Sequence, residues 1–199
     1  GLEEAIRSWG NGITIRSEHF SVKCNGGVAM AGHALFDLEA LYLWWGDTFG
    51  VALDMREVRT VMPLQVHRDK ESFPRWGNVR MPWCDPDPSG DVVRTHVDSA
   101  GTRPERLFQC GSWLILWHAV ALDPQVQDEQ ERINPWLEMG LSGYAEMIFE
   151  GPPGLASPRA EADPKRECLR AANFPIRLQT HVQLPIYAGY YLAGDRETR

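Results

Sequence analysis

The stretch "RLFQCGSWLILWHAVAL", Arg106 to Leu122, sets the strongest limit on what this chain can fold into. It is apolar on nearly all sides, and Pro104 stands just ahead of it, where a first helical turn accepts proline. A helix with no polar face must be enclosed by other elements. The spacing therefore predicts a buried central helix over 104–122, around which the rest of the chain is arranged. At about ten residues, its apolar core "WLILWHAVAL" is half the length that a bilayer crossing needs, and it contains His118. The expectation is a soluble chain with no membrane span.

Elements able to enclose such a helix lie on both sides of it. From Val28 to Phe49, Leu35, Leu38, Leu41 and Tyr42 recur at three and four spacing, and Gly50 follows where a helix ends. "PWLEMGLSGYAEMIFE" predicts a third helix over 135–150. Alternation of Ile13, Ile15, Phe20 and Val22 predicts a strand or hairpin over 13–24, and further strands are expected at 56–67 and 91–97. "LEEAIRSWG" has helical spacing, "DKESFPRWG" reads as a short helix or turn, and "GPPGLASPRAEADP" has the composition of a linker. The resulting fold class is α+β: a small mixed sheet packed on a helical half. With 199 residues, 43% of them hydrophobic, one domain over 1–199 is expected, with 151–165 a loop and 166–199 a C-terminal segment holding "LPIYAGYYLAG".

Charge and cysteine content remove several classes of function. The formal charge is -7 and no Lys/Arg-rich run occurs, so nucleic-acid binding lacks its electrostatic footprint. Cys24, Cys84, Cys110 and Cys168 form no C-x-x-C, which excludes a zinc ribbon and a thioredoxin-type pair. Two disulfides or four thiols both remain open, with thiols favoured in a domain large enough not to need staples. No G-x-S-x-G elbow is present, and "GLSG" lacks the strand and Lys-Ser/Thr context of a phosphate loop. "CDPDPSGD" has neither a glycine nor a terminal glutamate at the positions a calcium loop needs. His67, with Arg68, Asp69 and Glu71, reads as a solvated turn rather than a metal site. No charged-then-apolar leader opens the chain at Gly1, so a signal is expected to be absent or removed.

"SEHFSVKCN", the helix "ALFDLEALYLWWGDTFGVAL", the strand ending in "LQVHRDKESFPRW" and the helix "PWLEMGLSGYAEMIFE" follow one another in an order that resembles the peptidase MA family of gluzincin-like zinc metallohydrolases, most strongly over 17–150. The resemblance implies a zincin-like single domain, with the last of these segments similar to the family's Trp-Leu-x-Glu-Gly-Leu-Ala-x-Tyr helix. In such enzymes the apolar helix carries H-E-x-x-H, two zinc-binding histidines four apart with a glutamate general base between them. In the matching register Gln109 and Trp113 stand at the histidine positions, Cys110 at the base, and Met139 at the third ligand. Glu138 points about 100° away from Met139, and His118 lies five residues beyond Trp113, so neither rebuilds the site. Cys110 and His118 are about 12 Å apart along one helix, too far for a thiolate–imidazole pair.

This degenerate set predicts no cofactor, no metal and no catalytic residue, with Gln109, Cys110, Trp113 and Met139 lining a vestigial cleft. The function expected from the resemblance is a non-catalytic, peptidase-like domain that serves as a protein-binding or structural subunit of a larger, membrane-associated bacterial envelope complex, in a periplasmic or extracytoplasmic location. The alternative is a metal-dependent hydrolase or peptidase with its site elsewhere. Trp44 and Trp45 cannot both face one core, so one of them is a candidate interaction anchor, unless it packs under a loop.

Overall fold

A computed structural model describes residues 9–58, 60–71, 73, 84–86, 92–120 and 135–159. The first described element is a short 3-10 turn, Trp9–Asn11, so the helix expected at the N-terminus lies mostly outside the described residues, as does "LPIYAGYYLAG". The alternating stretch that follows folds as a hairpin, β1 (Ile13–Arg16) and β2 (Phe20–Cys24), paired antiparallel. At its turn the Ser17 N–H donates to the Phe20 carbonyl at 2.9 Å.

Helix α1 (Val28–Phe49) returns the chain so that β3 (Met62–His67) lies parallel to β2. Its inward stripe is Met30, Ala31, Ala34, Asp37, Leu38, Leu41 and Trp45, recurring at helical spacing. Gly50 closes α1 as expected, donating to the Gly46 carbonyl at 3.0 Å, but in a right-handed conformation. The strand expected from residue 56 begins only at Met62. Before it, the Arg56 N–H is spent on the Ala119 carbonyl at 2.8 Å, and 56–58 form no strand.

β5 (Val93–His96) continues the parallel ladder beside β3, and β4 (Cys84–Pro86) adds an antiparallel edge. The mixed five-stranded sheet runs β1-β2-β3-β5-β4, the α+β arrangement that the patterning predicts. Its inner face carries Phe20, Val22, Cys24, Met62, Leu64, Val66 and Val93, all fully buried, against α1 and the next helix. Ser21, Lys23, Gln65 and Arg94 alternate with them and are half-buried on the other face.

Helix α2 (Leu107–His118) is the apolar segment, and every residue from Leu107 to Leu116 is buried. It starts three residues later than the pattern suggests. Pro104 instead bridges to Val97 beside the sheet, and Arg106 takes a left-handed conformation (φ 51°) just before the helix. Helix α3 (Pro135–Ile148) packs along α2, and both belong to one core with α1. α3 ends at Ile148 rather than at Glu150, because Phe149–Glu150 forms a strand, β6, paired with β7 (Ser157–Pro158). That pairing also gives the expected linker a defined start. Among the described residues no helix is long and apolar enough to cross a membrane.

Candidate functional site

The positions where the resemblance puts metal chemistry lie inside the packed core. Gln109 is 5% exposed, Cys110 is fully enclosed, and Trp113 is 2% exposed with its ring stacked on Trp117 at 6.3 Å. Met139, on α3, is half-buried against the same core. None of Gln, Trp or Met supplies the anionic or imidazole donors that zinc selects. On the side facing α1, Gly111 sits so close to Leu38 and Leu41 that an added Cβ would lie 2.5 and 2.7 Å from their Cδ2 atoms. Beside it the Ser112 hydroxyl accepts the Trp45 indole N–H at 3.0 Å. Both faces of α2 are thus filled by protein.

The tryptophan pair resolves accordingly. Trp45 is completely buried, which removes it as an interaction anchor: its burial and its bond to Ser112 make it part of the α1–α2 contact. Trp44 is half-buried among the rings of Trp45, Phe49, Tyr144 and Phe149, with centroids 5.5 to 6.1 Å away. Cys24 and Cys110 are both buried and neither forms a disulfide. Burial pushes the Cys24 thiol up, which keeps it protonated and unreactive.

Three carboxylates that the sequence analysis does not single out are engaged by backbone donors. Glu146, on α3, accepts the backbone N–H groups of Phe108 and Gln109 at 2.9 and 3.0 Å. It therefore caps the N-terminus of α2, a task that Arg106 does not perform with its own side chain. Burial raises its carboxyl above the usual range, against the pull of those N–H groups and of Arg106 and Arg103. Asp37, 1% exposed, accepts from the Gly154 and Ala156 N–H groups, both at 3.0 Å, and so holds the turn before β7 onto α1. Burial raises its carboxyl too. Gly154 is at φ +81°, with His33 packed where a Cβ would be, so glycine is needed for this approach.

Glu39 behaves differently. It accepts from Ser17 Oγ, from the His19 N–H at 3.0 Å, and pairs with His19 Nδ1 at 2.7 Å. Burial opposes its ionisation, but the bonds from Ser17 and His19 outweigh it and hold the carboxyl below the usual range. The His19 ring stacks on Tyr42 at 3.8 Å. Seen together, the three acids pin a helix start and two turns, and each is engaged with backbone donors rather than open to a substrate.

A separate cleft of about 530 Å³ opens at the carboxyl ends of β3 and β5, where open parallel sheets usually present ligand sites. It is lined by Arg68, Asp69, Lys70, Glu71, His96, Asp98 and Glu105, among others. His67 and His96 are direct neighbours across the two strands. The turn after β3 is solvated as expected at Arg68, Lys70 and Glu71, but His67 is not part of that exposed surface. His67 is 1% exposed, stacked on Trp9 at 4.0 Å and met edge-on by Phe73, which also contacts His96 at 5.3 Å. His96 directs Nδ1 at the Val97 carbonyl, 2.9 Å away. Among the described residues no three His, Cys, Asp or Glu side chains are grouped so that they could hold a metal ion.

Comparison of the chain with protein-family models, with curated proteins and with solved structures finds no match.

Proposed function

We propose that this chain is a peptidase-like domain that has lost its metal chemistry and acts as a protein-binding or structural subunit of a larger envelope assembly outside the cytoplasm. The observation that carries the reading is the packing of α2. Gln109, Cys110 and Trp113, which stand in the register of the zinc ligands and base, are buried among apolar neighbours on a helix filled on both faces. The order of elements supports it further. A strand, a long helix, a parallel strand, then the apolar helix and the helix of "PWLEMGLSGY" follow in the sequence on which the likeness to the peptidase MA family rests.

A hydrolase with its site elsewhere would find its best location in the cleft beside His96, Asp98 and Glu105. The grouping of donors there, among the described residues, does not favour it.

The register is tested by rebuilding the ligands, with Gln109→His, Cys110→Glu, Trp113→His and Met139→Glu combined in one chain. Truncating a buried Trp costs about 3–5 kcal/mol, so folding is followed by circular dichroism with and without zinc. The variant is expected to take up one zinc per chain and to be stabilised by it. A folded variant with no zinc affinity would remove the family register.

A further inference from the structure

The cleft at the ends of β3 and β5 has walls of firmly held backbone. One wall is the turn after β3. Its first residue, Arg68, donates its N–H to Asn25 Oδ1 at 2.8 Å, and the Asn25 N–H reaches the Val66 carbonyl at 3.4 Å, so this turn is fixed to the end of β2. The other wall is the loop after β5. There Asp98 accepts the Thr102 N–H at 2.8 Å and the Thr102 hydroxyl at 3.0 Å. The Glu105 N–H donates to the His96 carbonyl at 2.7 Å, and Thr95 Oγ1 donates to the Glu105 carbonyl at 2.7 Å. A bond from the Val97 N–H to the His67 carbonyl at 2.8 Å joins the two walls.

These bonds occupy the main chain and the Asp98 carboxylate but leave other lining charges unspent. Glu105 is part-buried, yet among the described residues its carboxylate has no hydrogen-bond or ion-pair partner, unlike those of Asp37, Glu39 and Glu146. The Lys70 ammonium and the Glu71 carboxylate have none either, and Arg68 commits only its Nε–H, to Asp69 at 2.7 Å. A bare anion entering the cleft would meet Glu71 and Glu105, and a bare cation would meet Arg68 and Lys70. Among the described residues no three donors are grouped to hold a metal ion. A molecule carrying one charge of each sign satisfies both sets. The volume, about 530 Å³, falls within the range of small-molecule sites, roughly 300–1,000 Å³. We propose that this cleft binds a small zwitterion, a free amino acid, with its carboxylate toward Arg68 and Lys70 and its ammonium toward Glu105. The guanidinium suits the carboxylate end, since its remaining N–H groups can pair with both oxygens. Because the walls are already held, little conformational freedom is lost on binding. The proposal stands apart from the reading of α2 and does not need it.

The test titrates the full, isotope-labelled chain with each of the common L-amino acids, to about 10 mM, and follows the backbone amide signals by NMR, weak small-ligand binding lying near 1 mM. At least one amino acid is expected to give saturable shifts centred on Arg68, His96, Val97 and Glu105. The best binder is then compared with its N-acetyl form, which lacks the cation, and its C-terminal amide, which lacks the anion. Each blocked form should bind at least tenfold more weakly. Glu105→Gln, which keeps the shape and the backbone bonds of the residue, should weaken binding at least tenfold, as should Arg68→Gln combined with Lys70→Gln. Asp47→Asn, an exposed change on α1, should leave it as it was. Circular dichroism confirms that each variant is folded. Saturable shifts from no amino acid, equal binding of the blocked forms, or indifference to the substitutions at Glu105, Arg68 and Lys70 would each overturn the proposal.

Discussion

Replacing Gly111 with alanine adds one methyl group at the closest approach of α1 and α2. In an exposed helix the change would be favourable, since alanine exceeds glycine in helix propensity by roughly 1 kcal/mol. Here the new Cβ would lie 2.5 Å from Leu38 Cδ2 and 2.7 Å from Leu41 Cδ2, where an ordinary carbon contact is about 3.5–4.0 Å. Each leucine must give way by about 1 Å, and both are fully buried. Overpacking of this kind typically costs ~1–3 kcal/mol. Subtracting the propensity gain leaves a net loss of about 1 kcal/mol, and Gly111→Val should lose more. Gly46→Ala is the matched control: that glycine is exposed on α1 with nothing within 4 Å, so the full gain of ~0.5–1 kcal/mol should appear. Urea unfolding reads both as shifts of the midpoint at constant slope. Opposite signs are expected; a Gly111→Ala protein as stable as Gly46→Ala would refute the close α1–α2 contact.

The buried acids predict opposite pH dependences. Glu146 has a raised folded pKa, so the folded state binds its proton more tightly and stability falls as pH rises from the unfolded value of ~4.3. The advantage of the native chain over Glu146→Gln should therefore shrink between pH 4 and pH 7. Glu39 is lowered, so its contribution is present above ~4.3 and is lost as pH falls through the folded value. Glu39→Gln should accordingly cost more at pH 7 than at pH 3, as measured by urea unfolding at each pH; parallel profiles for the two variants would contradict the assignment. Ser112→Ala leaves the buried Trp45 N–H without its acceptor and should cost about 1–3 kcal/mol, with a change in tryptophan emission.

Much of the fold was legible because apolar spacing is dictated by burial. α1 matches its predicted limits, and the all-apolar α2 is the enclosed helix it had to be. The limits that moved did so through contacts outside the local helical or strand repeat. Pro104 is drawn to Val97, Arg56 to Ala119 and Phe149 to Pro158, and no local pattern announces any of these. The same holds for Glu146, Asp37 and Glu39. An acid within an apolar run, as in "GYAEMIF" or on the stripe of Leu38 and Leu41, is a visible irregularity, but its backbone partners come from 37, 117 and 20 residues away. His67 was misjudged as solvated because Trp9, 58 positions earlier, covers it.

The central claim is that no metal chemistry remains in this chain. Zinc content of the purified full-length protein, measured by elemental mass spectrometry after equilibration with a slight excess of zinc and removal of loosely held ion, tests it directly. The account predicts far less than one equivalent per chain. One tightly held equivalent, lost on substituting His96 or His118, would contradict it.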